Sequence, residues 1–117
     1  MHELSIAGAI VDIGVRHAGG RPVSRIEVKV GHLRQVVPSA LQFAFELVAQ
    51  GTPLDGAELA LEEIPATVRC GTCGAESRLD GFPLICPCGS ADVDIVAGQE
   101  LTVESLDVEE EEIAYGR

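Results

Sequence analysis

Four cysteines, which lie close together in the second half of the chain, restrict its fold more than any other feature. Cys70 and Cys73 form one pair, Cys86 and Cys88 form another, and the sequence has no other cysteine. Two cysteine pairs separated by a loop of about a dozen residues can place four thiolates tetrahedrally around one Zn²⁺. The sequence therefore predicts a four-cysteine zinc site, with a disulfide pair or free thiols as the alternatives.

The residues around the cysteines favour a bound metal. Gly71, Gly74 and Gly89 permit the tight turns that would bring each pair onto one ion. The intervening residues 74–85 include few large apolar side chains, so burial alone could not fold them and a metal would supply the folding energy. The second pair is Cys-x-Cys, one residue shorter than the usual Cys-x-x-Cys. This spacing leaves less room for backbone N–H groups to reach the sulfurs.

The charge of the chain excludes several classes of partner. Lys and Arg total 8 against 19 Asp and Glu, which gives a formal net charge of −11. Binding to nucleic acid or to an anionic membrane depends on cationic side chains, so we expect neither partner. The sequence has no apolar run long enough to span a membrane and no basic start typical of a signal peptide. We expect a cytoplasmic protein, because a reducing compartment keeps cysteines available for metal.

Hydrophobic patterns on both sides of the cysteines predict a scaffold of helices and strands. Apolar residues recur with helical spacing in two segments and alternate with polar residues in four others. The helical patterns cover residues 4–17 and 38–49, and the strand patterns cover 25–30, 58–62, 92–97 and 100–104. This order predicts an α+β fold in which two helices and a small mixed three-stranded sheet are interrupted by a zinc-binding insertion that contains the four cysteines.

Domain boundaries and local features follow from the same patterns. We assign residues 1–66 and 98–117 to the α+β domain and residues 67–97 to the insertion. The first helix is apolar nearly all round, so we expect it to be covered on two sides. Its two expected stripes are Leu4, Ala7, Val11 and Val15, and Ile6, Ile10 and Ile13. We expect a loop at residues 31–37, a bulge or the strand's end at Ser105–Leu106, and a solvated acidic tail at residues 109–112.

The N-terminus carries a second set of candidate metal ligands. The α-amine of Met1 with the main-chain nitrogen and imidazole of His2 offers consecutive nitrogen donors, which suit Ni²⁺ or Cu²⁺ better than Zn²⁺. On chemistry alone, an exposed terminal histidine without a role is the alternative. Glu3 either favours the helix N-terminus by its charge or binds and orients the metal. His17 and His32 are not included in the predicted site.

Two other function classes are less well supported. A zinc-ribbon module could bind nucleic acid or protein. Binding to nucleic acid would need a basic face, and Arg78 is the only cation between Cys70 and Cys88. A thiol redox protein would place its first cysteine pair at the start of a helix, and the residues after Cys73 do not begin a convincing helix. The sequence has no nucleophile–base constellation and no phosphate loop, so we do not expect an enzyme.

Several segments together resemble the hydrogenase nickel-incorporation (HypA/HybF) family, and they span almost the whole chain in the family's order. The segments are Met1–Ile6, Val30–Gly31, Val37–Pro38, Leu41–Phe45, the cysteine pairs, Cys88–Ser90 and Gly98–Leu101. The resemblance implies a small metallochaperone with an α+β nickel domain and a zinc domain. This chain departs from the family pattern at its second cysteine pair, which is one residue shorter than usual.

The resemblance also implies ligands and partners. Nickel, the cargo, would bind at Met1 and His2 with Glu3 adjacent. Structural zinc would bind at the four cysteines, Cys70, Cys73, Cys86 and Cys88. The implied role is delivery of Ni²⁺ for maturation of [NiFe]-hydrogenase. The implied partners are a hydrogenase-maturation GTPase, the hydrogenase large subunit and, in some organisms, urease accessory proteins. We expect a monomer or a weak homodimer.

Overall fold

A computed structural model describes residues 2–109, with Met1 and residues 110–117 outside the described part. The predicted helices and strands occur in the predicted order, which confirms the α+β fold. The helices are α1 (His2–Ala18), a 3₁₀ helix (His32–Arg34) and α2 (Pro38–Ala49). The strands are β1 (Val23–Gly31), β2 (Glu58–Ile64), β3 (Ala66–Cys70), β4 (Glu76–Leu79), β5 (Val93–Ala97) and β6 (Leu101–Val108). Most of the acidic run at residues 109–112 lies outside the described residues.

The strands form two three-stranded sheets. The first has the order β2-β1-β6, so the last strand of the chain returns to the sheet that the first strand begins. Its central strand β1 buries alternate residues, Ile26, Val28 and Val30. The second sheet has the order β4-β3-β5, and β3 pairs antiparallel with both neighbours. This second sheet contains the first cysteine at the end of its central strand.

The chain divides into two compact units. The first, here called the helical unit, comprises residues 2–28, 37–60 and 103–109 of the described chain. The second, here called the cysteine unit, comprises residues 29–36 and 61–102. All four cysteines belong to the cysteine unit. The domain boundaries assigned from the sequence stay a prediction.

One side of α1 forms much of the core of the helical unit. Its buried residues are Ala7, Ile10, Val11, Gly14 and Ala18, and the helix packs against α2. The expectation that α1 is covered on two sides holds only in part. Leu4 is 45% exposed and Val15 is 38% exposed, whereas Ile10 of the second stripe is buried and Ile6 and Ile13 are half-buried. The buried stripe includes the small residues Ala7, Gly14 and Ala18. The helix packs closely at Gly14, because a Cβ at this position would lie 2.6 Å from Leu54 Cδ2. Close packing on this one side leaves the opposite side of the helix in solvent.

Two local expectations also differ from the structure. The segment expected to be a loop at residues 31–37 contains the 3₁₀ helix, and Gln35 ends it with a left-handed φ of 56°. Strand β6 continues to Val108, so the strand does not end at Ser105–Leu106, but its burial alternation changes phase at Glu104–Ser105 and the alternative of a bulge stays a prediction. In the described part of the chain, no helix is long and apolar enough to cross a membrane.

Candidate metal centres

The four cysteine sulfurs converge on one point in the cysteine unit. Their Sγ atoms all lie within 4.8 Å of one another. The Sγ atoms of Cys70 and Cys88 are 3.7 Å apart, and those of Cys73 and Cys86 are 3.6 Å apart. Four sulfurs bound tetrahedrally at about 2.3 Å from one ion are separated by about 3.8 Å. The arrangement therefore fits a tetrahedral metal ion without a change of fold.

The first cysteine pair is built on the turn between β3 and β4. The N–H of Cys70 donates to Ala75 O at 2.9 Å, and the N–H of Gly74 donates to Cys70 O at 3.0 Å. Gly74 has a φ of +77°, a conformation that glycine adopts without a Cβ clash. Arg69 pairs with Glu76 next to this turn, so β3 and β4 continue as paired strands beyond it. Regular strand pairing thus fixes the position of this pair.

Two main-chain donors stabilise the sulfur of Cys70. The N–H groups of Thr72 and Cys73 donate to Cys70 Sγ at 3.3 Å and 3.4 Å. These bonds lower the pKa of the Cys70 thiol to about 6, and the bond from Cys73 has the larger effect. Cys70 is also buried, whereas Cys73 is exposed. The site therefore contains one thiol that is readily deprotonated, as a metal ligand must be.

The second cysteine pair lies in the irregular segment between β4 and β5. The N–H of Cys86 donates to Ser90 O at 2.9 Å, and the N–H of Gly89 donates to Cys86 O at 2.7 Å. Among the described residues, no main-chain N–H reaches the sulfur of Cys86 or Cys88. Cys86 is buried and Cys88 is exposed. In the described chain, main-chain N–H groups thus support the sulfur of Cys70 and not those of the other three cysteines.

Hydrogen bonds join the two halves next to the sulfurs. The hydroxyls of Thr72 and Ser90 are 2.8 Å apart, and the N–H of Gly71 donates to Asp92 O at 2.8 Å. Ser90 Oγ also accepts the N–H of Asp92 at 3.1 Å. Neither Thr72 nor Ser90 was predicted from the sequence to have a role in the site. Their only signal was that they lie within or beside the cysteine motifs.

The first turn of α1 brings together the two described residues of the predicted N-terminal site. His2 Nδ1 lies 3.5 Å from Glu3 Oε2, and the N–H of Val37 donates to the same carboxylate oxygen at 3.2 Å. The Val37 bond is the main cause that holds the pKa of the Glu3 carboxyl below its ordinary value. The side chain of His2 is 49% exposed and that of Glu3 is 15% exposed. Met1, the third predicted ligand, lies outside the described residues.

The other two histidines are placed elsewhere. His17 is in the last turn of α1, at the end opposite to His2. His32, which belongs to the cysteine unit, has its Nε2 atom 3.8 Å from Glu63 Oε1. His17 is therefore separate from the His2–Glu3 pair, and His32 belongs to the other unit. Both were left out of the predicted nickel site.

The fold and the sulfur cluster define a class: a small α+β protein with a preformed site able to hold a metal ion. Residues 1–108 match the family described as hydrogenase/urease nickel incorporation, metallochaperone, HypA. The chain therefore belongs to the HypA family, which confirms the resemblance found in the sequence. This is a family of metallochaperones and maturation factors and is not a family of enzymes.

Individual relatives agree with the family match over nearly the whole chain. The chain is 43% identical over 110 residues to the hydrogenase maturation factor HypA of Nostoc sp., covering 94% of this chain and 97% of that protein. It is 44% identical over 110 residues to the protein of the same name from Geotalea uraniireducens, covering 93% of this chain and 100% of that protein.

Two solved structures share the fold. One is the solution structure of the Ni metallochaperone HypA from Helicobacter pylori, with a TM-score of 0.66 and 21% identity, covering 91% of this chain and 96% of that one. The other is a solution structure of a HypA protein, with a TM-score of 0.68 and 23% identity, covering 95% and 98%. At these identities, the similarity supports the fold alone.

Proposed function

We propose that this protein is a nickel metallochaperone that binds Ni²⁺ at its N-terminus and delivers it for maturation of [NiFe]-hydrogenase. Membership of the HypA family supports the general role. The observation that supports the location is the pairing of the His2 and Glu3 side chains at the start of α1, with Glu3 oriented by the Val37 N–H. Nickel is the cargo in this proposal, with Met1, His2 and Glu3 as its ligands.

The helical position of His2 makes its main-chain nitrogen usable as a donor. The helix begins at His2, and helical N–H groups bond to the carbonyl four residues back, so the first amide lies ahead of this ladder. Its deprotonation would break no bond of the helix. The amine of Met1 and the imidazole of His2 would complete a run of nitrogen donors that favours square-planar Ni²⁺. The carboxylate of Glu3, with its lowered pKa, is ionised at neutral pH and would bind or orient the complex.

We further propose that Cys70, Cys73, Cys86 and Cys88 hold a structural Zn²⁺. Four thiolates in a closed tetrahedral set are typical of structural zinc, which crosslinks the chain and leaves no open position for a substrate. The sulfur–sulfur distances of 3.6 Å and 3.7 Å support this assignment. Under this proposal, residues 67–97 are the zinc-binding domain, and residues 1–66 and 98–117 are the nickel-binding domain.

The proposed partners follow from family membership. They are the hydrogenase-maturation GTPase, the hydrogenase large subunit and, in organisms that have it, the urease maturation machinery. The protein would act in the cytoplasm as a monomer or a weak homodimer. The reduced thiolates required for zinc persist in that compartment.

Nickel titration by calorimetry tests the proposed function, with three forms of the protein compared without affinity tags. These are the natural chain, His2→Ala, and a chain extended by one residue before Met1. An extension converts the α-amine to an amide, which donates to a metal only after losing its proton. We expect Ni²⁺ binding to weaken by at least about a hundredfold in both altered forms, because each lacks a donor of the chelate.

His17→Ala is the matched control, since it removes a histidine at the far end of the same helix. We expect this variant to bind Ni²⁺ as the natural chain does, with unchanged zinc content in all forms. Equal nickel affinity in all three test forms would contradict a nickel site at the N-terminus.

A further inference from the structure

The two halves of the four-cysteine site differ in a way that bears on reactivity. Cys70 Sγ accepts N–H groups from Thr72 at 3.3 Å and Cys73 at 3.4 Å. In the described chain, Cys73 Sγ, Cys86 Sγ and Cys88 Sγ receive no such bond. Hydrogen bonds to a thiolate withdraw electron density from it, so a sulfur without them is the stronger nucleophile.

The sequence of the second pair explains this difference. In the first pair, the donors are the second and third residues after Cys70. The second and third residues after Cys86 are Cys88 itself and Gly89, because this pair is one residue shorter. The N–H of Gly89 is engaged by Cys86 O at 2.7 Å, and Pro87 has no N–H to offer. The shortened pair therefore lacks main-chain donors for Cys86 Sγ, and Cys88, like Cys73, is the second cysteine of its pair, whose sulfur receives no donor in the described chain.

Exposure and local structure distinguish Cys88 from the other three cysteines. Cys70 and Cys86 are buried, whereas Cys73 and Cys88 are exposed. Cys73 is held in the hairpin turn between β3 and β4, but Cys88 lies in the irregular segment between Leu79 and Val93. Segments without regular pairing open at lower free energy than paired strands. Cys88 thus combines exposure, an unsupported sulfur and the less constrained half of the site.

We propose that Cys88 is an oxidation site for peroxides and that its oxidation releases the metal through a disulfide with Cys70. The Cys88 thiolate attacks one peroxide oxygen, the O–O bond breaks, and the products are a Cys88 sulfenic acid and hydroxide. Cys70 Sγ, which is 3.7 Å from Cys88 Sγ, then attacks the oxidised sulfur. An S–S bond forms and a second hydroxide leaves. The two thiolates lose two electrons, and one peroxide takes them up.

This inference relies on the proposed zinc occupancy, so the experiment measures zinc before oxidation. Purified protein is treated with less than one equivalent of hydrogen peroxide, and released zinc is followed with a chromogenic chelator. Remaining thiols are alkylated, and the linked peptides are identified by mass spectrometry. We expect Cys70–Cys88 to be the first disulfide, with one zinc released for each disulfide formed.

A variant with one glycine inserted between Pro87 and Cys88 restores the Cys-x-x-Cys spacing and all four ligands. The restored N–H donors would bond Cys86 Sγ, as those of Thr72 and Cys73 bond Cys70 Sγ, and would leave Cys88 Sγ without a donor. Because peroxide attacks Cys88 in this proposal, we expect zinc release at the rate of the natural chain. The control variant carries one glycine between Asp80 and Gly81, which lengthens the same irregular segment away from the sulfurs. Its release rate should match that of the natural chain.

The outcomes separate this inference from the zinc assignment. Protein that holds no zinc before peroxide is added overturns both. Protein that holds zinc but first forms a Cys73–Cys86 or Cys70–Cys73 disulfide overturns the role of Cys88 alone. Slower release from the Pro87–Cys88 insertion variant, with the Asp80–Gly81 insertion unchanged, would show that peroxide attacks Cys86 and would overturn the role of Cys88.

Discussion

At the scale of single residues, the clustering of the four cysteines was predictable and its main-chain support was not. Cysteine spacing indicated which sulfurs come together, and the nickel ligands named from the N-terminal residue types stay a prediction. The N–H donors to Cys70 Sγ and to the Glu3 carboxylate come from the backbone, where every residue type except proline is equivalent. Val37, which orients Glu3, could not have been selected from its side chain.

Removal of one cysteine tests the zinc assignment. Cys73→Ser should lower the zinc content from about one ion per chain to near zero, because a structural site needs all four thiolates. The cysteine unit should lose protection against hydrogen exchange, since its residues include few large apolar side chains. Helices α1 and α2 should persist, because their core lies in the helical unit. Metal analysis and exchange mass spectrometry measure the two effects.

Thr72→Ala is the control for this prediction. It removes the hydroxyl that contacts Ser90 but keeps the N–H that donates to Cys70 Sγ. We expect it to retain its zinc. A Cys73→Ser protein that still carries a full equivalent of tightly bound zinc would show that the metal has other ligands.

At the scale of elements, the cysteine unit depends on a crossing of two main-chain segments. The N–H of Gly31 donates to Glu100 O at 2.8 Å, and the N–H of Leu33 donates to Gly98 O at 2.8 Å. A Cβ at position 31 would lie 2.0 Å from Gly98 O, and one at position 98 would lie 2.7 Å from Ala66 Cα. The crossing segments approach this closely because residue 31 is glycine, and glycine at position 98 permits the close approach of Ala66.

Gly31→Ala should therefore destabilise the protein by about 3 kcal/mol or more, because the obstructing atom is a backbone oxygen that cannot rotate away. Urea denaturation followed by circular dichroism measures the change. Gly8→Ala is the control: it adds a Cβ within α1 where no heavy atom lies within 4 Å. That change should stabilise the protein by about 0.5–1 kcal/mol through helix propensity. If Gly31→Ala were as stable as the natural chain, the crossing would not be as close as the structure shows.

The crossing also illustrates what the sequence could not predict about the elements. Periodicity gave the helices and strands, since it depends on neighbours within one element. The pairing of residue 31 with residue 98 depends on segments far apart in the chain, and no local pattern records it. Periodicity also misjudged α1, because Leu4 and Val15 continue the apolar pattern although no neighbouring element covers them.

At the scale of the whole molecule, the negative charge is the main property that bears on partners. A formal net charge of −11 creates a field that speeds encounter with a positively charged surface and is screened by salt. We expect association with the proposed GTPase partner to slow by about tenfold between low and high ionic strength. Stopped-flow mixing at several salt concentrations measures this rate. Circular dichroism at each salt concentration is the control for an unchanged fold.

A rate that does not depend on ionic strength would mean that the acidic surface promotes solubility and does not steer the partner. The dissociation rate provides a second comparison. It should change less than the association rate, because long-range charge acts mainly on encounter.

The glycine crossing has a consequence for the order of events on the ribosome. The chain emerges from its N-terminus, so Gly31 is exposed long before Gly98 has been translated. All four cysteines precede Gly98. The sulfurs can therefore capture their ion while residues 29–36 still await the carbonyl groups to which they bond. Closure of the crossing therefore has to follow synthesis of all four cysteines, because Gly31 and Leu33 cannot make these bonds until residues 98–100 exist.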